Sequence, residues 1–368
     1  MRRSIEAFYF KVIKNEESGI LSDCLRGLLW LASFPYRLAI KVKNTLYDQK
    51  ILASYAPPIP MVISIGNIVA GGAGKTPVTL LFAENLYEDY ALAVLARGYR
   101  SEAEKRKTPV VLSRGSGPVY PASYAGDEAF LTSERLPKAI VVVGKDRKEA
   151  STIASKLGAQ VALLDDALQH RKLARDKEVV VINLNDPWGL GHHLPRGLLR
   201  EGDGALKRAD LVVLNHAKDF NRFQLVRERV EKLTQAPVIG TRFSVQGIFD
   251  RENNPVHVKG EKGAVFCGIA HPECFFETVE ELGVNIICEH ILSDHEAITP
   301  EALLAFSETA RAGGAKGLIC TEKDKVKLPT LPDGCLPVYW VKVNLEVTEG
   351  KALFDTFIDD IKSRLSHF

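Results

Sequence analysis

The chain has 368 residues, of which 46% are hydrophobic and 26% are charged, and its formal net charge is +2. This is the composition of a globular protein with a sizeable core, and the length favours about two domains. The near-neutral charge excludes the basic bias typical of nucleic-acid-binding proteins, so we expect no nucleic-acid partner. Six cysteines occur without any C-x-x-C pair, which predicts reduced thiols in a cytosolic protein.

The first distinctive segment is CLRGLLWLASFPYRLAIKVKN, residues 24–44. Its longest uncharged run is about ten residues, whereas roughly 18 to 20 are needed to span a bilayer. Leucine, tryptophan and phenylalanine interspersed with arginine and lysine are typical of a helix that lies on a membrane surface. We therefore expect residues 24–44 to contact a membrane. The alternative is a core helix that breaks before Pro35. Early charges such as Lys11 and Lys14 argue against a cleaved signal peptide.

Short apolar runs then alternate with helical patterns, which predicts a parallel α/β sheet covered on both faces. Ligands of such sheets bind beyond the carboxyl ends of the strands, so the residues that follow each run are functional candidates. The predicted strands are Met61–Ile65, Ala91–Ala96, Ala139–Val143, Gln160–Leu164, Glu178–Leu184, Asp210–Leu214, Gly263–Cys267, Val284–Cys288, Lys316–Cys320 and Val338–Val343.

The stretch SIGNIVAGGAGKTPV, residues 64–78, leads from the first predicted strand into a helical pattern. Glycines let backbone N–H groups wrap a phosphate, the lysine adds a charge, and the threonine hydroxyl suits Mg²⁺. The pattern differs from a strict P-loop because Val69 stands where the first glycine is expected, and the alternative is a Gly-rich turn. The predicted nucleotide-binding residues are Val69, Ala70, Gly71, Gly72, Ala73, Gly74, Lys75 and Thr76.

The stretch VALLDDALQHRKL ends an apolar strand in Asp165 and Asp166, with Gln169 and His170 one turn later. An acid at this position is typical of a Walker B residue that holds Mg²⁺ directly or through water. Two adjacent carboxylates after a buried strand repel each other unless a cation lies between them. The pair therefore favours a metal-binding role over a structural one.

Other candidates follow the remaining strands. GDEAF places Asp127 and Glu128 at a helix entrance, where a helix cap is the alternative. VGKDR places Arg147 where it could clamp phosphate oxygens, with a surface turn as the alternative. Three further polar stretches also end or separate strands: HHLPRGLLREG with Glu201, LSDHEAIT with His295, and CTEKDKVKL.

In their joint order along nearly the whole chain, these motifs resemble the tetraacyldisaccharide 4′-kinase (lipid A 4′-kinase) family. The matching stretches are GNIVAGGAGKTP, GDE, VGKDR, DDALQH, LPRGLLRE, FCGIAHPECFF, SDH and TEKDKVKL. The chain departs from the family pattern at Val69, Ala129, Ala167, Arg196, Leu198, His271 and Cys274, and none of these removes a proposed catalytic group.

The resemblance implies an ATP-dependent kinase that phosphorylates the 4′-hydroxyl of tetraacyldisaccharide 1-phosphate to form lipid IVA in lipid A biosynthesis. It further implies Mg²⁺ as a cofactor and a peripheral position on the cytoplasmic face of the inner membrane. The implied architecture is a P-loop NTPase-like α/β/α domain and a second, smaller α/β domain joined by a β-hairpin linker. We expect a membrane-interfacial region at 1–44, the P-loop kinase domain at 45–240, the linker at 241–259 and the second α/β domain at 260–368.

By the same resemblance, Asp127 is the base for the sugar hydroxyl and His295 is its partner. Lys75 and Arg147 stabilise the γ-phosphoryl charge. Thr76, Asp165 and Glu201 hold Mg²⁺, and the supporting residues are Glu128, Asp166, Gln169 and His170.

Three alternatives remain open. A GTPase switch would use Asn215 and Lys218 as a guanine-reading motif, although their order is wrong for it. A non-enzymatic membrane-binding module would explain residues 24–44 but not the P-loop. A P-loop kinase that acts on another membrane-borne sugar or lipid would keep every nucleotide-site prediction.

Overall fold

Helices and strands alternate along the chain, as the apolar runs predict. The computed structural model describes residues 2–269, 272–293 and 296–367, with side chains from Phe8 onward. Two residues discussed above, His271 and His295, lie outside the described residues. All six cysteines are free thiols, as predicted.

Every predicted strand is present. The strands are β1 (Met61–Asn67), β2 (Leu92–Ala96), β3 (Val110–Arg114), β4 (Ile140–Val143), β5 (Val161–Asp165), β6 (Lys177–Asn183), β7 (Leu211–Asn215), β8 (Val238–Phe249), β9 (Pro255–Val256), β10 (Lys262–Cys267), β11 (Asn285–Ile291), β12 (Gly317–Thr321) and β13 (Val338–Glu349). The helices are α1 (Arg2–Ile13), α2 (Ile20–Asp48), α3 (Lys75–Glu84), α4 (Glu102–Lys105), α5 (Ala122–Ala125), α6 (Asp127–Arg135), α7 (Arg147–Lys156), α8 (Phe220–Glu231), α9 (Pro272–Glu281), α10 (Pro300–Ala312), α11 (Glu322–Lys325) and α12 (Lys351–Leu365).

The strands of the described chain form one mostly parallel sheet in the order β11-β10-β12-β13-β8-β7-β6-β1-β5-β2-β4-β3, with β9 beside β8. Strand β1 lies between β5 and β6, and Ile65 of β1 is in register with Asp165 of β5. This order brings the loop after β1 and the acid pair after β5 to the same edge of the sheet. The expected α/β class and P-loop-like arrangement are confirmed.

The central strands are buried along their length because helices cover both faces. Each residue of β1 is buried, which explains the continuous apolar run in the sequence. On one face, Phe82 of α3 packs edge-to-face against Phe354 and Phe357 of α12, with ring centroids 5.4 and 6.0 Å apart. The C-terminal helix therefore packs on the P-loop half of the molecule, although residues 260–368 were expected to form the second domain.

A two-stranded ribbon of β8 and β13 connects the first half of the sheet, β1 to β7, with the second half, β10 to β12. Strand β8 runs parallel to β7 at its start and then pairs antiparallel with β13 over most of its length. The hairpin expected at 241–259 is present in part, because Ile248 pairs with Val256. Its first strand begins earlier, at Val238, since β8 also completes the first half of the sheet. The division into domains stays a prediction, and the contacts of α12 place that helix with the first half.

The N-terminal helix α2 is continuous from Ile20 to Asp48, with Pro35 inside it. The alternative of a break before Pro35 is therefore wrong. One side of α2 leaves large apolar side chains exposed, namely Ile20, Leu21, Leu28, Trp30, Leu31, Phe34, Leu38 and Val42. In the part of the chain that the structure describes, no helix is both long and apolar enough to cross a membrane.

Candidate active site

The loop after β1 has the backbone form that a phosphate-binding loop needs. Gly74, directly before α3, has φ 78°, in the left-handed region that favours glycine. A Cβ at Gly74 would lie 2.0 Å from Asn215 Nδ2, so a larger residue cannot fit there without movement. A Cβ at Gly71 or Gly72 would meet no atom within 4 Å, so this side of the loop faces open space.

Two asparagines at strand ends hold the loop in place. Asn183 Nδ2 donates to the Gly72 carbonyl at 3.2 Å, and Asn215 Nδ2 donates to the Ala73 carbonyl at 3.3 Å. Asn215 is buried, and its Oδ1 accepts a hydrogen bond from the Thr241 hydroxyl at 3.3 Å. Because the Asn215 amide is used in this way, the GTPase alternative loses its guanine-reading residue. In the sequence, Asn183 and Asn215 are each the polar residue that ends an apolar run, and this pattern could have identified both as candidates.

The carboxylate of Asp165 lies beside the first turn of α3. It accepts hydrogen bonds from the hydroxyls of Thr76 and Thr79, at 3.5 and 3.3 Å. Burial, followed by the nearby charges of Glu128 and Asp166, raises the pKa of Asp165 to about 6. Such a carboxylate is stabilised in its charged form by an added cation.

Asp166 adopts a positive φ of 51° and points its carboxylate at two cations. Arg200 Nη1 lies 2.8 and 3.0 Å from the two Asp166 oxygens, and Lys75 Nζ lies 3.6 Å from one of them. Burial would raise the pKa of Asp166, but the charges of Lys75 and Arg200 outweigh it and hold the pKa below its usual value. Asp166 thus holds the Lys75 ammonium in place. Its pairing with Arg200 was not predicted from the sequence.

Arg147 begins α7, which is capped by the Asp146 carboxylate. Its Nη2 donates to the Asp165 carbonyl at 2.8 Å, whereas its buried Nη1 has no hydrogen-bond partner among the described residues. Burial lowers the pKa of Arg147 to about 10, so the guanidinium remains charged at neutral pH. A buried guanidinium with an unused donor is suited to bind a phosphate oxygen. The structure therefore favours the phosphate-binding interpretation of Arg147 over that of a surface turn.

The oxygens of Thr76 and Asp165 fit Mg²⁺. This ion usually takes one or two carboxylates, several waters and the phosphates of its substrate, rather than a complete protein cage. No group of three or more His, Cys, Asp or Glu side chains gathers around a metal position within the described ranges. One hydroxyl and one carboxylate beside a phosphate-binding loop are a donor set of this kind.

Glu201 has different neighbours. Its buried Oε2 accepts hydrogen bonds from Arg208 Nη2 at 2.8 Å and from Asn44 Nδ2 at 2.7 Å. Its other oxygen, Oε1, is buried and has no hydrogen-bond partner in the described chain. These contacts connect Glu201 to α2, and its role as a metal ligand stays a prediction.

The supporting residues after β5 turn toward β1 and α2. Gln169 Nε2 donates to the Asn67 carbonyl at 2.8 Å, and Lys43 Nζ donates to the Gln169 carbonyl at 2.8 Å. Burial, followed by the charges of Arg147 and Arg175, lowers the pKa of His170 to about 4. His170 is therefore neutral at physiological pH.

The predicted base opens a helix, as expected. Asp127 is half-buried at the start of α6, directly after Gly126 with φ 94°. Its neighbour Glu128 lies 3.4 Å from Lys323 of the second half and is close enough to affect Asp165. The proposed partner of Asp127, His295, is outside the described residues, so this pairing stays a prediction.

Comparison with known proteins connects this geometry to one family. The family described as tetraacyldisaccharide-1-P 4′-kinase (LpxK) matches residues 25–362. A tetraacyldisaccharide 4′-kinase of Anaeromyxobacter dehalogenans is 36% identical over 96% of this chain and 94% of its own length. One from Chlamydia pneumoniae is 39% identical over 79% of this chain and 80% of its own. A crystal structure titled as the apo form of LpxK from Aquifex aeolicus in complex with ATP is 27% identical, with a TM-score of 0.74, and covers 93% of this chain and 99% of that one.

Proposed function

The chain belongs to the tetraacyldisaccharide-1-P 4′-kinase family, and from this premise we propose how its residues carry out the reaction. It is a kinase of lipid A biosynthesis that transfers the γ-phosphoryl group of ATP to the 4′-hydroxyl of tetraacyldisaccharide 1-phosphate. The observation that best supports the residue assignments is the convergence of the P-loop, Asp165 and the open donor of Arg147 at one edge of the sheet.

Two cations act on the nucleotide. The loop amides at positions 69–74 bind the phosphates, and Lys75 and Arg147 face the γ-phosphoryl group. Both side chains are already positioned, Lys75 near Asp166 and Arg147 by the Asp165 carbonyl. Preorganised positive charge of this kind stabilises the charge that spreads over the phosphoryl oxygens during transfer.

We assign Mg²⁺ to Thr76 and Asp165, with Glu201 as a third residue that acts through water. When bound, the ion neutralises phosphate charge and orients the β- and γ-phosphates. The hydroxyl of Thr76 and the carboxylate of Asp165 are close enough to bind one ion, since they already share a hydrogen bond. The Arg200–Asp166 pair then leaves Lys75 free to turn toward phosphate.

Asp127 accepts the proton as the 4′-oxygen forms its bond to the γ-phosphorus and the bond from that phosphorus to the ADP oxygen breaks. Proton transfer of this type contributes about 10²- to 10⁴-fold to a rate. In this proposal His295 orients Asp127 from the second half, so the pair assembles only when both halves are together. Idle hydrolysis of ATP is thereby limited.

The acceptor is a lipid, and we propose that α2 brings the enzyme to the membrane in which its acyl chains lie. The exposed apolar side of α2 supports this, because Leu28, Leu31 and Leu38 are each more than half exposed, at 64%, 58% and 62%. Arginine and lysine in the same helix suit anionic headgroups. A peripheral position on the cytoplasmic face of the inner membrane follows, where ATP is available.

The test is direct transfer. Purified protein is incubated with Mg²⁺, γ-labelled ATP and tetraacyldisaccharide 1-phosphate in detergent micelles, with Lys75→Ala as the control. We expect label in a bis-phosphorylated lipid, and its loss in the control. ATP binding without labelled lipid would contradict the acceptor and would favour another membrane-borne sugar or lipid.

A further inference from the structure

A buried ion pair connects the helix that begins with Asp127 to the second half of the molecule. Arg135, the last residue of α6, donates from Nε to Glu322 Oε1 at 2.8 Å and from Nη2 to the other oxygen of Glu322. Both side chains are only 10% exposed. Arg135 also donates to Asn344 Oδ1 at 2.7 Å and to the Val343 carbonyl at 2.6 Å, both on β13. The end of α6 is therefore fixed to α11 and to the ribbon.

Two outer ion pairs join the same two helices. Lys323 Nζ lies 3.4 Å from Glu128 Oε1, and Lys325 Nζ lies 3.4 Å from Glu134 Oε2. Contacts with α11 thus lie at both ends of α6, at Glu128, next to Asp127, and at Glu134 and Arg135 near its C-terminus. The four residues of α11 are part of the TEKDKVKL motif, which the nucleotide chemistry leaves without a role.

On its other side, α11 contacts Gly268 and the residues on either side of positions 294–295. The buried Asp324 carboxylate accepts the Gly268 N–H, with both oxygens at 3.1 Å. Lys327 Nζ lies 3.1 Å from Asp324 and donates to the Glu296 carbonyl at 3.2 Å. A Cβ at Gly268 would lie 3.1 Å from the Ser293 carbonyl oxygen and 3.2 Å from that of Glu296. Ser293 and Glu296, which flank positions 294–295, thus pack closely on Gly268 and α11.

We propose that α11 is a positioning element for phosphoryl transfer, which sets α6 and its first residue Asp127 relative to Gly268, Ser293 and Glu296. The inference rests on the proposed role of Asp127 as base. Its physical basis is that α11 is bonded on both sides through buried charged groups, so that loss of either contact lets the two sides move relative to each other. None of these contacts involves residues 69–76 of the P-loop, although Arg135 Nη1 also lies 3.9 Å from Glu84 at the far end of α3. We therefore expect ATP affinity to change much less than kcat.

The principal variant is Glu322→Gln, which removes the charge from the buried pair at nearly constant shape. We expect kcat to fall by about 10²-fold, the size of loss that an error of about 1 Å in positioning produces, with the ATP Kd within about twofold of wild type. Because loss of a buried partner can also unfold a protein, Lys323→Glu provides a second variant at an exposed pair. It replaces attraction to Glu128 with repulsion, and kcat should fall several-fold.

Lys138→Glu is the matched control, because Lys138 lies 2.5 Å from Glu88 in an exposed pair that does not involve α11. The same change of charge there should leave kcat unaltered. A merely structural role of Glu322 is distinguished by combining Glu322→Gln with Asp127→Asn. If α11 acts through Asp127, the combined loss should be close to that of Asp127→Asn alone.

A fully multiplicative loss, or wild-type kcat in both Glu322→Gln and Lys323→Glu, would overturn the role of α11 while leaving the proposed function intact. An unchanged rate in Asp127→Asn would instead contradict the proposed base. The two failures therefore give different results in the same transfer assay.

Discussion

The hydroxyl of Thr76 lies 3.5 Å from the carboxylate of Asp165, although 89 positions separate the two residues in the chain. The contact exists because β1 and β5 are neighbours in the sheet and end at the same edge. In the proposed mechanism, this hydroxyl and this carboxylate hold Mg²⁺ beside the nucleotide phosphates. The carboxylate is also buried, and burial raises its pKa.

Asp165 should make the nucleotide-free protein less stable as pH rises. Its pKa is raised from 3.8 to about 6 in the folded state, so the folded protein binds this proton more tightly than the unfolded chain does. The stabilisation is complete below about pH 4 and is lost as pH rises through about 6, with an upper limit of about 3 kcal/mol. In urea unfolding without Mg²⁺, Asp165→Asn should therefore gain stability over wild type between pH 4.5 and 7.5. Parallel pH dependences of the two proteins would contradict the raised pKa.

Removal of the proposed base should greatly reduce the rate of phosphoryl transfer and leave nucleotide binding unchanged. We expect Asp127→Ala to lose about 10²- to 10⁴-fold in kcat, the usual size of a general-base contribution. His295→Ala should show a loss in the same range. The measurements are transfer of label to the lipid and, separately, the Kd for ATP. Wild-type turnover in either folded variant would remove that residue from the mechanism.

Gly74 should not tolerate even alanine. Its φ of 78° is unfavourable for other residues, and the added Cβ would lie 2.0 Å from the Asn215 amide that supports the loop. Gly74→Ala should therefore weaken ATP binding by at least about tenfold, as measured by isothermal titration calorimetry, since distortion of the loop misplaces its amides. Gly204→Ala is the control, because a Cβ there would meet no atom within 4 Å. Equal ATP affinity in both variants would show that the loop adapts.

The exposed side of α2 should determine activity on membrane-borne substrate. Leu31→Glu places a charge on this side, where Leu31 is 58% exposed, and should reduce binding to anionic vesicles and transfer to vesicle-borne lipid. ATP binding should be unchanged. Val119→Glu, at a residue 62% exposed elsewhere, is the matched control. Vesicle binding that persists in Leu31→Glu would argue against this surface.

This point substitution is a sharper test than removal of residues 1–44. The other side of α2 contacts the catalytic half, through Asn44 with Glu201 at 2.7 Å and Lys43 with the Gln169 carbonyl at 2.8 Å. Deletion of the helix would therefore expose Glu201 and disturb residues next to the nucleotide site. Loss of activity after deletion alone would not separate membrane contact from damage to the site.

The sequence by itself determined the α/β class, the positions of most strands, the phosphate loop and the acid pair. Each of these features depends on residues that are close together in the sequence. A strand buried on both faces is an unbroken apolar run, and a phosphate loop needs glycine and lysine at close spacing. Strand β3 was missed because its apolar run, around Val110 and Val111, is short. Strand β3 lies at the edge of the sheet, where Val110 and Val111 are only partly buried, so fewer apolar residues are needed there.

Only the tertiary structure decided which distant groups meet. The order of the sheet, and not the sequence spacing, brings Asn215 under the P-loop and gives Glu201 the partners Arg208 and Asn44. The return of α12 to the first half and the Arg135–Glu322 pair, 187 positions apart, likewise depend on how β8 and β13 join the halves. A charged residue in a sequence shows what it can bind, whereas its partner is determined by the packing that buries both.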